Sequence, residues 1–400
     1  MATFNVTGGV PRGFAKTDST PVNGRHTNAG SFASAAVVAR EASEQELGSW
    51  DSLVTSFPNH RVVHRRCWAE SIQASTGAQA VFLVFERRGE IVGCLPGLIR
   101  RIGPLRLFGS PLVGWQTCSM GPAFDVGRVT TVELMSAAIA LLENRFGVHH
   151  IELIGGDLED AAMRALGFRA EPIPTLRAPL NPGDPGRTLK QLRDSARRNV
   201  RRAERLGLVG RIETDESFVD EAYEQMKEVF VRGGNVVPFT HRRVLEFFRH
   251  MKDAGTLLAV SVSLPNSDTR IATGLFTIDG RELFLWQWAH RTRHRWYRPT
   301  ELMTWIAMKA AMDAGCTTFD LMGPGDFKEK FGAEPDLSQY RWVRSRYGWM
   351  THARDVGESS YRWQQAVRGK VLRSLSDWWR REKDASPENR ATSDAAGRDE

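Results

Sequence analysis

Two stretches of the chain, "ELMSAAIALLENRFGVHHIELIGG" at residues 133–156 and "ELMTWIAMKAAMDAGCTTFDLMGP" at residues 301–324, align with each other without a gap. The alignment places Glu133 on Glu301 and Gly147 on Gly315. Each copy has helical periodicity up to that glycine, which is a typical C-capping residue, and continues as a short apolar strand. The repeat therefore predicts two copies of a helix followed by a buried strand.

Strand-like runs precede each copy of the repeat. They are "AVFLVFERRGE" and "IVGCLPGLIRR" before the first copy, and "LLAVSVSLPNSDT", "RIATGLFTIDG" and "ELFLWQWAH" before the second. Strands, a helix and a strand in the same order twice predict a mixed α/β fold made of two related units.

The composition agrees with this organisation. A chain of 400 residues, 41% hydrophobic and 25% charged, is expected to form two domains plus tails. We predict a disordered tail at 1–36, an N-terminal unit at 37–180, a basic linker helix at 181–210, a C-terminal unit at 211–350, an amphipathic helix at 358–383 and a disordered tail at 384–400.

Charge and cysteine usage limit the choice of partner and compartment. The net charge of +7 and the pI near 9.4 indicate an anionic partner, such as a phosphate-bearing cofactor, a nucleotide-linked sugar, a tRNA or a lipid surface. We expect no transmembrane segment, no metal site and a cytoplasmic protein, because there is no apolar run of about 18 residues, no secretory leader and no metal-ligand cysteine spacing.

The linker segment "TLKQLRDSARRNVRRAERLG" predicts one helix over residues 188–207 with an apolar stripe. Its other faces carry many arginines, including Arg198, Arg201 and Arg202, and few acidic residues. A solvated surface and a phosphate-binding surface both remain open, although like charges this dense repel one another on a helix.

The second copy of the repeat runs into the loop "GPGDFKEKFG" at residues 323–332. Glycines at a strand end permit a tight turn or a close approach of backbone to a ligand. Lys328 just beyond them is able to neutralise an anion or stabilise a developing oxyanion, and Asp326 to orient an amine or Lys328. In the preceding strand, alternation predicts Phe284, Trp286 and Trp288 on one face.

The order of "RDSARRNVRRAERLG", strands, "RPTELM" and "FDLMGPGDFKEKFGAE" resembles the GNAT-fold acyltransferases of the CelD/BcsL-like cellulose-biosynthesis group. These are relatives of the FemAB-type peptidyltransferases, and the likeness is best over about residues 187–335. It implies two tandem GNAT units, of which 37–180 is degenerate and 211–350 catalytic. It also implies an acyltransferase of polysaccharide biosynthesis that uses acyl-CoA.

The resemblance also gives roles to particular residues. It implies that Lys328 and Asp326 line the reaction cleft, and His290 is the candidate base, with a structural role as the other interpretation. It places the donor's pyrophosphate at the start of the helix that begins near Pro299. The residues expected to bind the donor are Arg295, Arg298, Thr300, Arg198, Arg201 and Arg202.

One departure from the GNAT pattern leaves the donor open. The signature Q/R-x-x-G-x-G/A is absent, because "RHRWYRPTEL" contains no glycine. Aminoacyl-tRNA, as in FemAB-type enzymes, is the alternative donor, and an anionic-polymer-binding protein without activity is a third possibility. The acceptor is expected to be a saccharide or a cell-envelope precursor. The helix at 358–383 is basic and carries Trp378, so it fits either packing on the catalytic unit or peripheral membrane contact.

Overall fold

The computed structural model describes residues 36–117, 119–360, 363–364 and 367–368. The predicted tails lie almost entirely outside these residues. The elements up to residue 179 are β1 Val38–Glu41, α1 Glu44–Gly48, α2 Trp50–Thr55, a 3₁₀ turn Val62–His64, α3 Arg66–Thr76, β2 Gln79–Arg87, β3 Glu90–Ile102, β4 Leu105–Ser110, β5 Ala123–Phe124, α4 Thr131–Asn144, β6 His150–Gly155, α5 Asp160–Ala165, β7 Arg169–Pro172 and β8 Thr175–Pro179.

The remaining elements begin with two helices and end with a helix that follows the last strand. They are α6 Pro185–Gln191, α7 Asp194–Arg205, β9 Val209–Glu213, α8 Ser217–Arg232, α9 His241–Asp253, β10 Leu257–Ser263, β11 Arg270–Asp279, β12 Glu282–His290, a 3₁₀ turn Thr292–Tyr297, α10 Pro299–Asp313, β13 Thr318–Asp320, α11 Asp326–Glu329, β14 Glu334–Asp336, β15 Tyr340–Ser345 and α12 at 348–360. None of the described helices is long and apolar enough to cross a bilayer.

The strands form two mixed sheets. The first has the order β1-β2-β3-β4-β6-β15-β7, with β5 beside β3, and the second has the order β14-β8-β13-β12-β11-β10-β9. Within each sheet one central pair is parallel, β4 with β6 and β12 with β13, and the other pairs are antiparallel. The predicted mixed α/β fold is confirmed.

The repeat found in the sequence corresponds to the same elements in both sheets. The helices α4 and α10 begin at aligned positions, and so do the strands β6 and β13. Gly147 and Gly315 have φ of 61° and 87°, so both helices are followed by a left-handed glycine. The first sheet also contains β4, a strand that the sequence analysis missed, directly after the Gly103–Pro104 turn.

The two sheets exchange strands. β8, from the N-terminal part of the chain, lies beside β13 in the second sheet. β15, from the C-terminal part, lies between β6 and β7 in the first sheet. The predicted unit boundaries at residues 180 and 350 remain a prediction. β15 lies within the predicted C-terminal unit, but its hydrogen bonds are formed with strands of the first sheet.

A continuous apolar core lies between the sheets and contains α3, α8 and α9. Trp286 of β12 stacks on Phe247 of α9 with ring centroids 3.9 Å apart. Trp68 of α3 meets Phe247 and Phe284 edge to face at 5.4 and 5.6 Å. The second sheet is therefore packed against helices that also cover the first.

The basic linker is divided, and the prediction of one helix over 188–207 was wrong. α6 ends at Gln191, Leu192 is extended with ψ of 145°, and α7 starts at Asp194. The N–H of Arg193 donates to the carbonyl of Lys330 at 2.9 Å. Because this tertiary bond uses an N–H group that a continuous helix needs, the linker breaks where it meets the loop after β13.

The C-terminal helix starts earlier than predicted. Residues 348–360 are helical, as are 363–364 and 367–368, whereas the prediction began at 358. The other residues of the predicted helix, including Trp378, lie outside the described residues.

Candidate functional site

The two parallel strands of the second sheet separate after three residue pairs. β12 pairs with β13 from Glu282 with Thr318 to Phe284 with Asp320. Beyond Asp320 the chain bonds to β8 instead, through the N–H of Leu321 and the carbonyl of Met322, both with Leu176. Within the described chain, the rest of β12 therefore has a strand partner only on its β11 side. A gap opens there.

The glycine loop after β13 forms one wall of this gap. Met322 has φ of 61°, a left-handed conformation that a non-glycine residue seldom adopts, and its N–H donates to Asp320 Oδ1 at 2.7 Å. The chain then turns through Gly323 and Gly325 into the short helix α11. Lys328 lies in this helix, 6% exposed, and its Nζ donates to the carbonyl of Gly323 at 2.9 Å.

Aromatic rings hold the loop against β12. Trp288 meets Phe327 edge to face, with centroids 5.5 Å apart, and Phe331 at 6.0 Å. Asp326, by contrast, is exposed at the first position of α11. The structure thus places Lys328 inside the loop and Asp326 on its surface.

A β-bulge in β12 overturns the predicted strand alternation. The pairing with β11 steps from Leu285 to Gln287, so Trp286 is an extra residue. Trp286 packs with Phe284 between the sheets, while Trp288 faces the core beneath α10. The bulge turns Gln287 toward Gln116 of the N-terminal part, whose Oε1 accepts from Gln287 Nε2 at 3.3 Å.

The helix α10 begins beside the gap without a side-chain cap. Its N-terminus has no hydrogen bond from a capping side chain, and Pro299 has no N–H to offer. The N–H groups of Thr300 and Glu301 therefore have no intrahelical acceptor, and the positive end of the helix dipole favours an anion.

The corresponding helix of the first unit has a side-chain cap. Thr130 accepts from the N–H of Glu133, and the carboxylate of Glu133 accepts from the N–H of Thr130 at 3.0 Å. This capping box engages the N–H of Glu133, whose counterpart in α10 is the N–H of Glu301. Of the two helix starts that the repeat aligns, the start of α4 has a side-chain cap and the start of α10 has none.

His290 links the end of β12 to the start of α10. Its Nδ1 lies 3.2 Å from Thr300 Oγ1, and its Nε2 lies 3.3 Å from an Nη1 of Arg232. A guanidinium only donates, so Nε2 accepts and Nδ1 carries the hydrogen. Burial, and then the charges of Arg232 and Arg295, lower the pKa of His290 to about 4. The ring is neutral at pH 7 and its lone pair is engaged, which suits a positioning residue better than a base.

The turn between β12 and α10 carries the predicted donor-binding arginines. Arg295 and Arg298 are exposed, and Arg298 is left-handed with φ of 62°. Arg291 is engaged elsewhere, because its Nε and Nη2 donate to Glu221 at 2.8 and 2.7 Å. It contributes little net charge to the turn.

The basic helix α7 lies beside this turn. The guanidinium of Arg202 stands over the ring of Trp296 at 5.9 Å, and Asn199 Nδ2 donates to Glu301 Oε1 at 2.8 Å. An open groove of about 880 Å³ follows the outer side of the helix and is lined by Arg198, Asn199, Arg201, Arg202, Glu204 and Arg205. The arginines predicted from two separate segments therefore form one exposed basic surface.

A buried carboxylate supports the loop from below. Asp320 is fully buried and accepts from Arg61 at 2.5 Å, Arg177 at 3.4 Å and Thr175 Oγ1 at 2.8 Å. Arg61 comes from the N-terminal part of the chain and also binds both oxygens of Glu282 at 2.9 Å. Burial alone raises the pKa of Asp320, but Arg61 and Arg177 outweigh it and hold that pKa below its usual range.

A second cavity lies away from the gap. It measures about 800 Å³ and is lined by the amino ends of β12 and β13, by Arg61 and Arg177, and by the carboxyl end of β6. The gap lies at the carboxyl ends of the same two strands. The Asp320 cluster separates the cavity from the loop that carries Lys328.

Sequence reasoning proposed the loop and both arginine segments as parts of the site but did not name the residues that support them. Arg61, Arg177 and Arg232 each reach the site from a distant element. Their local sequences contain no motif, since an isolated arginine is usually a surface residue. The sequence signal for them was Asp320 itself, because a carboxylate in a buried strand needs compensating cations nearby.

We expect Asp320→Asn to lower the free energy of unfolding at pH 7 by about 3–5 kcal/mol, because Arg61 and Arg177 would lose a buried counter-charge. The folded-state pKa of Asp320 lies below its unfolded value of about 3.9, so the carboxylate stabilises the protein above about pH 4 and the contribution is lost as the pH falls further. Urea unfolding of both proteins at pH 7 and pH 3 measures this.

Asp336→Asn is the matched control. Asp336 also pairs with Arg177, at 3.3 Å, but its side chain is 21% exposed, so we expect a loss of about 1 kcal/mol or less. Equal losses of stability in the two variants would show that the ion pairs of buried Asp320 contribute no more than an exposed ion pair does.

We expect Arg232→Gln to raise the pKa of His290 toward its ordinary value, because one of the cations that oppose its protonation is removed. An NMR titration of the histidine ring measures the shift. Arg293→Gln is the control, since this exposed arginine lies in the same turn but is not among the charges acting on His290. An unchanged His290 pKa in Arg232→Gln would contradict the assignment.

Comparison with known proteins agrees with this geometry. Residues 190–331 match the family model described as an acetyltransferase (GNAT) domain. No curated protein sequence matches the chain. The solved structure of FemX is similar with a TM-score of 0.62 and 17% identity, covering 76% of this chain and 96% of that one, which shows a shared fold.

Two further solved structures have lower scores. A tandem GNAT protein from the clavulanic acid biosynthesis pathway has a TM-score of 0.46 and 14% identity, covering 77% of this chain and 96% of that chain. L-PGS from Bacillus licheniformis has a TM-score of 0.45 and 11% identity, covering 76% and 93%. The segment 190–331, which contains the gap, the basic helix and the Lys328 loop, is a GNAT acetyltransferase domain, and the chain is an acyltransferase.

Proposed function

We propose that the chain transfers an acyl group from acyl-CoA to an amino or hydroxyl group of a saccharide or cell-envelope precursor. The observation that carries the donor assignment is the uncapped N-terminus of α10 beside the gap, next to exposed Arg295 and Arg298. The acceptor class, and membership of the CelD/BcsL-like group, rest on the resemblance of the sequence motifs.

The donor's pyrophosphate would bind at the start of α10. The N–H groups of Thr300 and Glu301 supply neutral donors, and the arginines of the turn supply charge. The contact of Arg202 with Trp296 brings α7 next to the turn before α10. A second phosphate group, of the donor or of the acceptor, would bind there to Arg198, Arg201 and Arg202. The unpaired edge of β12 beyond Phe284 offers backbone groups to the rest of the donor.

The reaction would take place in the gap between β12 and the glycine loop. The acceptor nitrogen or oxygen attacks the thioester carbonyl, the C–S bond breaks and CoA leaves as its thiol with the acceptor's proton. Lys328 would stabilise the negative charge that develops on the carbonyl oxygen, because a cation in a buried loop acts more strongly there than in water. Asp326, at the mouth of the loop, would orient the acceptor.

His290 would act as a positioning residue in this scheme. It holds Thr300 at the helix start and Arg232 at the end of β12 through its two ring nitrogens. A ring with a pKa of about 4 accepts protons weakly at pH 7, so the acceptor's proton would leave through water.

Aminoacyl-tRNA is the second candidate donor. The exposed arginines of α7 and of the turn before α10 form one surface, which suits a polyanion as well as CoA. The likeness to FemX concerns the fold and does not choose between donors. The third possibility, a binding protein without activity, is disfavoured by the acetyltransferase domain match over 190–331.

We expect Lys328→Met to reduce kcat by about 10²–10³-fold, because the variant keeps the buried chain length but removes the charge that faces the developing oxyanion. Release of the donor's leaving group measures the rate. Lys330→Met is the control, since Lys330 stands over Phe327 at 5.1 Å in the same loop. Equal turnover of Lys328→Met and wild type, at equal melting temperature, would remove Lys328 from the mechanism.

A thermal-shift panel tests the donor. Free CoA and acyl-CoAs are expected to raise Tm, since a ligand that binds only the folded state stabilises it by mass action. Arg298→Ala should reduce this shift, whereas Arg249→Ala, on the exposed side of α9 and paired with Glu216, should keep it. A rise in Tm with charged tRNA and none with CoA would favour a FemAB-like, aminoacyl-tRNA-dependent peptidyltransferase over the acyl-CoA-dependent enzyme.

A further inference from the structure

The helix α12 packs on the first sheet through its charged side. Arg354 donates to Glu152 at 2.7 Å and to both oxygens of Glu171 at 2.7 and 3.0 Å. The next residue, Asp355, accepts two bonds from Arg169, both at 2.8 Å. The side of the helix that faces the protein is therefore held mainly by ion pairs, apart from buried Met350.

The opposite side of α12 is apolar and exposed, and exposed apolar residues of the helical stretches 363–364 and 367–368 continue the pattern. Trp349, Val356, Trp363 and Val367 are 58%, 66%, 69% and 40% exposed. Their spacing returns to one side of a helix at each step. We call these four residues the outward stripe. A helix that turns its ion pairs inward and two tryptophans outward has the reverse of the usual arrangement, and a stripe of this kind marks a surface that another apolar phase covers.

The charged residues of this region show the same division between paired and exposed side chains. The acidic side chains Asp355 and Glu358 are paired with Arg169 and Arg354, while Arg346 and Arg368 are exposed. The sequence from 361 to 383 adds further positive charge, with Arg362, Lys370, Arg373, Arg380, Arg381 and Lys383 against Asp377 and Glu382. The stripe therefore lies in a basic part of the chain.

We propose that the outward stripe binds to an anionic membrane surface as a peripheral contact. Tryptophan prefers the interface between headgroups and acyl chains, and basic residues next to it are attracted to anionic lipids. The helix would lie in the plane of the membrane while its ion pairs with the first sheet fix the rest of the protein to it. The proposal does not depend on which acyl donor the enzyme uses.

A second copy of the chain fits the stripe less well. Stripe-to-stripe packing would bring two sets of basic residues together, and like charges across an interface oppose association. A stable interface also buries about 800 Å² on each partner and takes about 20–30 residues a side, far more than the four residues of the stripe. An anionic bilayer complements the charge and needs no further protein surface.

Vesicle co-sedimentation of the full chain tests the proposal. We expect wild type to sediment with phosphatidylcholine vesicles that contain phosphatidylglycerol, less as NaCl screens the charges, and little with pure phosphatidylcholine. Trp349→Ser/Val356→Ser/Trp363→Ser should lower the partition coefficient by about tenfold or more. The control Val126→Ser/Ile212→Ser/Leu337→Ser removes three exposed apolar residues elsewhere and should bind as wild type does.

Melting temperature and sedimentation equilibrium are measured on all three proteins. Equal vesicle binding by the stripe variant and wild type would overturn the proposal, and so would equal binding to neutral and anionic vesicles. A wild-type dimer that the stripe variant converts to monomer, without vesicle binding by either, would assign the stripe to a second copy instead. None of these readouts involves acyl transfer, so failure here leaves the proposed reaction untouched.

Discussion

The buried carboxylate of Asp320 is the constraint on which the site depends. A carboxylate with no exposed surface needs compensating cations, and here they come from Arg61 in the N-terminal part and Arg177 on β8. The same carboxylate holds the N–H of Met322 in a left-handed turn. The chain consequently leaves β12 at this residue, and the gap between the parallel strands follows from it.

The first unit also contains a buried carboxylate that is compensated by arginines. Glu152, which aligns with Asp320 in the repeat, is buried between Arg341 of β15 and Arg354 of α12. Burial raises its pKa, but the hydrogen bond from His150 and the two arginines outweigh that effect and lower the pKa to about 2. In both sheets the cations include one on a strand that crosses from the other part of the chain. In each sheet, the strand contributed by the other part of the chain therefore also carries a cation that compensates the buried carboxylate. Neither sheet is complete without that strand.

The sequence was most informative where structure is local. The repeat predicted the helices α4 and α10 and the strands after them, because apolar periodicity and a C-capping glycine are properties of neighbouring residues. It did not predict the bulge at Trp286, which depends on pairing with β11, or the break at Leu192, which depends on a bond to Lys330. Lys328 and the arginine segments were proposed from motifs and His290 from its place at a strand end, whereas Arg61 and Arg232 approach these elements only through tertiary packing.

A single aligned position accounts for the different behaviour of the two helix starts. Glu133 and Glu301 occupy equivalent positions, but the residue three before them is Thr130 in the first unit and Arg298 in the second. Threonine completes a capping box with Glu133, which engages the N–H groups of both residues. Arginine offers no acceptor, so Glu301 turns to Asn199 of the basic helix and the helix start stays open. One change of residue thus separates a helix start with a side-chain cap from one without, and the contact of Glu301 with Asn199 ties the second start to α7.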